Sequence, residues 1–134
     1  MTDLANLVPT SDTITVQLKH PVTDEVLKKD DGSAMTIEVF ATHSKEYKTA
    51  IHEQTNKRIQ RVQKNKRNLS FSAEEIENAA VEVLAKTTKG WDLQFNKKAL
   101  KFSVTEAMDL YQKFPWIKDQ VTEAQEDFTS FLKS

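Results

Sequence analysis

KGWDLQFNKKALKFSVTE, the stretch from Lys89 to Glu106, sets the plan of this chain. Trp91, Leu93 and Phe95 precede Asn96, Lys97 and Lys98, and Leu100 and Phe102 follow them, so apolar side chains recur at every second residue on both sides of a polar turn. That spacing predicts a half-buried hairpin over about residues 91–102, with Trp91 anchoring its buried face. Gly90 suits the stop of a preceding helix. Ser103 suits the start of a following one, since its hydroxyl can accept the amide of Glu106 while the Glu106 side chain reaches back to the cap. Helix, stop, ribbon and capped helix follow one another without a linker. Nothing in the stretch offers chemistry; it is architecture.

Downstream, Val104, Ala107, Met108, Leu110 and Tyr111 mark a helix over about 104–114. Pro115 ends it and opens the next, because proline disfavours helical geometry in the residue before it and suits a first helical position. The last helix, about 116–133, carries Ile117, Val121, Ala124, Phe128 and Phe131 at helical spacing. Phe114, Trp116, Phe128 and Phe131 are core by default, and any that stay exposed form a patch suited to an apolar helix of another protein.

Upstream, Ser72 and Glu75 form a capping box, with Phe71 and Ile76 as the apolar staple across it. They predict a helix over about 72–89 that buries Ile76, Ala79, Ala80, Val83 and Leu84. Before it, Ser44 caps a long helix, about 44–68, in which Tyr47, Ile51, Thr55, Ile59 and Val62 make one inward stripe. TITVQLKH from Thr13 and AMTIEVFAT from Ala34 alternate as strands with one wet face, giving an N-terminal hairpin over about 13–41. Asp31 and Gly32 provide a turn between them. The long helix is the expected cover of this sheet. Residues 1–12 read as a flexible arm, and residues 1–134 as a single α+β domain, in which small antiparallel strands pack with a long helix and three further helices.

A chain of 134 residues buries roughly two-thirds of its unfolded surface and needs no staple, which matches the absence of cysteine. The start has neither a basic leader nor an apolar run of membrane length, so a soluble intracellular protein is expected. Net charge is −1, but Lys57, Arg58, Arg61, Lys64, Lys66 and Arg67 crowd one segment and Glu74, Glu75, Glu77 and Glu82 the next. The basic run 57–67 can contact phosphates. It lacks the interleaved aromatics of single-strand binders and lies at a helix C-terminus, where cations are favoured anyway, so a solvated or internally paired face is the expectation.

Enzyme signatures fail on particular residues. His52 and Glu53 begin like a zinc-protease helix, yet Asn56 stands where the second histidine belongs. With glycines at 32 and 90 alone, no phosphate-cradling loop can form. Glu74, Glu75 and Glu77 are better explained by a helix start than by acid–base work. No catalytic residue, metal or cofactor is expected.

The chain resembles the tail assembly chaperones of long-tailed bacteriophages and prophages. The resemblance rests on LKHPVTDEVL, on FATHSKEY at the start of the long helix, and on VLAKTTKGWDLQFNKKALKFSVTEAMDLYQKFPWIKDQV with the EDFTSFL helix after it, and covers most of residues 14–132. It departs at the ribbon turn, where relatives often place a glycine and this chain has Asn96, Lys97, Lys98 and Ala99. The resemblance implies a non-catalytic late protein of the host cell cytoplasm, absent from the finished virion. Such a helper binds the long, helical tape-measure protein, keeps it soluble and promotes assembly of the tail-tube protein around it. It self-associates, and it often has a longer frameshifted form. Expected contacts are Phe128, Phe131 and Leu132 for apolar surface and Arg58, Arg61 and Lys64 for charge. The alternatives are a nucleic-acid-binding protein using helix 57–67 and a virion-resident structural tail protein.

Overall fold

The computed structural model of the chain describes residues 12–64 and 72–127, without the side chains of Val62 and Lys64. Residues 1–11 of the expected arm, the long helix beyond Lys64 and the Phe71 side of the staple lie outside the described residues. The elements run β1 (Thr13–Gln17), β2 (Thr36–Phe40), α1 (Lys45–Lys64), α2 (Ala73–Lys86), β3 (Thr88–Asp92), β4 (Gln94–Phe95), β5 (Lys98–Ala99), α3 (Val104–Lys113) and α4 (Pro115–Glu126). This is the α+β class that the alternation of strand and helix periods implies.

β1 and β2 pair antiparallel, with Ile14 opposite Val39 and Val16 opposite Ile37. The ribbon differs from its expected form. β3 leaves it to join the main sheet in the order β1-β2-β3, placing Trp91 opposite Ile37, and the hairpin proper shrinks to β4 and β5. Trp91 still anchors the junction, because its indole Nε1 donates to the Leu100 carbonyl at 2.8 Å and its ring meets Phe102 edge to face, centroids 5.0 Å apart. Phe95, expected on the buried face, is exposed, with the Lys113 ammonium 5.1 Å from its ring centre. The little hairpin is held to the turn after β1: Gln94 and Asp30 exchange two hydrogen bonds, and Lys29 pairs with Asp92 at 2.8 Å.

Gly90 is not the helix stop. It lies inside β3, next to an irregularity of register where Lys89 is the extra residue between Gly90 and Thr88. α2 ends instead at Thr87 and Thr88, both buried. Their hydroxyls donate back to the carbonyls of Val83 and Leu84 and so satisfy the groups a helix end leaves bare. The expected starts hold: Ser44, Ser72 and Ser103 accept the amides of Tyr47, Glu75 and Glu106, and Pro115 is the first residue of α4. α4 is shorter than expected, closing at Glu126 with Asp127 as its cap in extended geometry.

The cover of the sheet also differs. α4 packs on β1 and β2, α2 packs on β3 and α3, and α1 packs mainly on α2. The core joins Leu18, Ile37, Val39, Val81, Leu84, Leu110, Tyr111, Ile117 and Val121, with Phe114 and Trp116 half-buried against it. α1 contributes little because its sequence has few apolar residues, and only Ala50 and Gln54 of its described side chains are buried. Of the stripe expected on α2, Leu84 is buried, together with Val81 and Ala85, whereas Ala79 and Val83 are half-buried and Ile76 and Ala80 exposed.

Burial pushes the Tyr111 hydroxyl up to about 12, against the opposing effect of its 2.7 Å hydrogen bond with Thr88. The folded state therefore holds this proton more tightly than the unfolded chain. Its contribution is whole below pH 10 and is lost as pH rises toward about 12. Urea midpoints measured up that range are expected to fall by the equivalent of about 2 kcal/mol from this group, and Tyr111→Phe flattens the fall. At the turn, Asn96 and Lys97 adopt φ of 52° and 64°, a conformation that favours glycine at the second position. Lys97→Gly is expected to stabilise the protein by about 1 kcal/mol, read as a higher urea midpoint at unchanged slope.

Candidate functional site

α2 carries apolar side chains on two faces. Val81, Leu84 and Ala85 go to the core, while Ile76, Ala79, Ala80 and Val83 look into a cleft of about 450 Å³. One wall is α1, through Tyr47, Ile51, Thr55 and Arg58. The other is α4, through Lys118, Asp119, Thr122, Gln125 and Glu126. Ile51 and Ile76 are 37% and 53% exposed, and Ile59, two turns beyond Ile51 on α1, is 50% exposed. Four-residue spacing puts Ile51, Thr55 and Ile59 on one stripe of the helix. This is the stripe expected to cover the sheet; it lines open space instead.

The cleft is set by the way α1 and α4 attach to α2. α1 is fixed by charge. Glu82 accepts from Gln54 and Lys57 and lies 3.1 Å from Lys86, which reaches Glu53 at 2.7 Å. Arg61 pairs with Glu75 in the first turn of α2. α4 is fixed by amides. Gln120 takes the Lys19 amide at 2.9 Å and donates to the Lys19 carbonyl at 2.8 Å, as one more strand residue would. Gln125, buried, donates to the Phe40 carbonyl at 2.7 Å and to Thr87 Oγ1 at 2.9 Å. At the other end, Lys118 lies 3.8 Å from Glu77.

Of the residues singled out from sequence, Arg58 lines the cleft and Arg61 lies in the α1–α2 ion pair. The side chain of Lys64 and all of Phe128, Phe131 and Leu132 lie outside the described residues. The cleft itself was missed, although a signal was present. Ile76, Ala79, Ala80, Val81, Val83, Leu84 and Ala85 are too many apolar positions for one stripe, and a helix apolar over so wide an arc has two surfaces to cover.

The arrangement suits apolar contact rather than bond making. The floor is aliphatic, the charged groups stand at the rim, and the buried amide of Gln125 is already engaged. The histidines lie elsewhere: His20 Nδ1 accepts the amides of Val22 and Thr23, and His43 pairs with Asp12 at 3.3 Å. Among the described residues no group of three or more histidine, cysteine or acidic side chains is placed to hold a metal ion. No described helix is long and apolar enough to cross a membrane.

Burial pushes the Glu82 carboxyl up, but hydrogen bonds from Lys57, Lys86 and Gln54 outweigh it and hold the group below its ordinary value of 4.5. The sign follows: its stabilisation is whole above pH 4.5 and is lost as pH falls through the lower folded value. Glu82→Gln is expected to cost about 1 kcal/mol at neutral pH and to reduce the acid dependence of the urea midpoint. No protein-family model matches this chain, and neither a curated protein nor a solved structure gives a significant match.

Proposed function

We propose that this protein is a non-enzymatic assembly chaperone of a long-tailed bacteriophage, acting in the host cytoplasm on the tape-measure protein and absent from the finished particle. The single observation that carries the reading is the cleft between α1, α2 and α4. Ile76, Ala79, Ala80 and Val83 line it, and the charged residues among its lining keep the free protein in water. The resemblance of residues 14–132 to tail assembly chaperones supplies the client. A tape-measure protein is a long helical chain with apolar stripes, and such stripes aggregate unless another apolar surface covers them.

On this reading the contacts are Ile51, Ile76, Ala80 and Val83 for apolar surface, with Arg58 and Glu126 at the rim. Release requires contacts of modest strength repeated along the client, which self-association of the chaperone provides. The runner-up, nucleic-acid binding by α1, is disfavoured by Lys57 and Arg61 being held by Glu82 and Glu75. A steep loss of DNA or RNA affinity with added salt would point to it instead.

The test is co-expression with a tape-measure protein of a long-tailed phage. The client is expected to become soluble and to co-purify. Ile51→Asp with Ile76→Asp is expected to abolish both effects while leaving stability within about 0.5 kcal/mol, since both side chains stand at the surface. A client that stays insoluble beside folded wild-type chaperone sinks the proposal.

A further inference from the structure

The three-stranded sheet has two edges, and they are finished differently. β3 forms one of them, and there the register is irregular, with the charged Lys89 as the extra residue. Bulges and lysines are what keep a sheet edge from pairing with another chain. β1 forms the other edge, TITVQ, and has neither: its register against β2 is regular over all 5 residues, and none of them is charged or a proline. We propose that the β1 edge is a self-association surface, on which β1 of a second copy pairs antiparallel about a two-fold axis at Thr15. The inference goes beyond the chaperone reading: it gives the self-association invoked there an interface, yet holds whatever the client is.

Hydrogen bonding and side-chain pattern both support it. The Ala41 amide donates to the Asp12 carbonyl at 2.6 Å and the Leu18 amide to the Met35 carbonyl at 3.0 Å, which sets the phase of the ladder. Even-numbered residues of β1 bond to β2, and odd-numbered ones turn their amides and carbonyls to the edge. At Lys19 the side-chain amide of Gln120 takes both outward groups and ends the open stretch. Among the described residues no hydrogen bond takes those of Thr15 and Gln17, both exposed. Backbone groups left open in a row along an edge are a template for another strand. The sequence of β1 makes a second copy that strand. Centred on Thr15, the pairing sets threonine against threonine and Gln17 against Thr13 on the wet face, so no like charges meet. On the core face Ile14 of each copy meets Val16 of the other, and Ile14, half-buried at the margin of the core, gains cover. Such a contact is its own complement, the condition of a two-fold dimer.

The test uses the whole chain by itself, so its outcome is separate from that of the co-expression experiment. Sedimentation equilibrium is expected to show a reversible dimer of the wild-type protein. Thr15→Lys places like charges opposite one another across the axis and is expected to give a monomer of unchanged melting temperature, since Thr15 is exposed. Thr15→Val, which adds no charge, is expected to keep the dimer. The absence of native cysteine allows a second measurement. Residues facing each other in a hydrogen-bonded antiparallel pair stand about 5.5 Å apart at Cα, within disulfide reach. Thr15→Cys is therefore expected to link two chains under mild oxidation several-fold faster than Lys89→Cys on the β3 edge. A wild-type protein that stays monomeric, a dimer that Thr15→Lys leaves intact or that Thr15→Val loses equally, or equal linking at the two cysteine positions would each overturn the proposal.

Discussion

The buried amide of Gln125 is the contact on which the arrangement of helices depends. It donates to the last carbonyl of β2 and to the hydroxyl of Thr87, which itself closes α2. Phe40 adds a backbone bond, its amide donating to the Thr87 carbonyl at 2.7 Å. Sheet, α2 and α4 therefore meet at one polar point inside an apolar core. Such a point is fully satisfied in one geometry and costly in others, because a buried donor without an acceptor loses its hydration for nothing. It fixes where α4 crosses the sheet, and with that the position of one wall of the cleft.

The second wall has a different origin. α1 reaches the rest of the molecule through charge more than through apolar packing, and its ionic contacts lie along one edge of α2. Glu82 gathers Gln54, Lys57 and Lys86 there, and Arg61 reaches Glu75 nearer the start of α2. Pairs at the surface contribute little singly, and a linked set orients a helix better than it stabilises one. The opposite edge is left open, and α1, α2 and α4 stand around it without closing. Among the described residues, such a cleft leaves isoleucine exposed on two helices, Ile51 on α1 and Ile76 on α2. That is the physical condition under which an apolar segment from elsewhere binds.

Holding α1 by ion pairs and α4 by buried amides also divides the molecule by stability. The Gln125 and Thr88–Tyr111 contacts lie in the core, where opening approaches global unfolding, while the α1 contacts are wet and open more readily. The proposed role of taking up and releasing a client would benefit from a groove with one firm wall and one yielding wall, since closure and opening then need not disturb the core.

Residue patterns settled the α+β class, the serine caps of three helices, the Pro115 break and the turn at Gly32, because each depends on neighbours within a few residues. Sequence also marked Trp91 as an anchor of the ribbon's buried face. Which strand Trp91 belonged to was not local. A period of two fits a separate hairpin and a third strand of a larger sheet equally, and pairing with β2, about fifty residues earlier, decided it. The same holds for α2, whose seven apolar positions exceed one stripe, and the packing of α3 and the sheet decided which face went inward and which was left to the cleft. Periodicity tells a helix that it must bury a surface; only the competition among all the surfaces of the fold decides which one remains for something else.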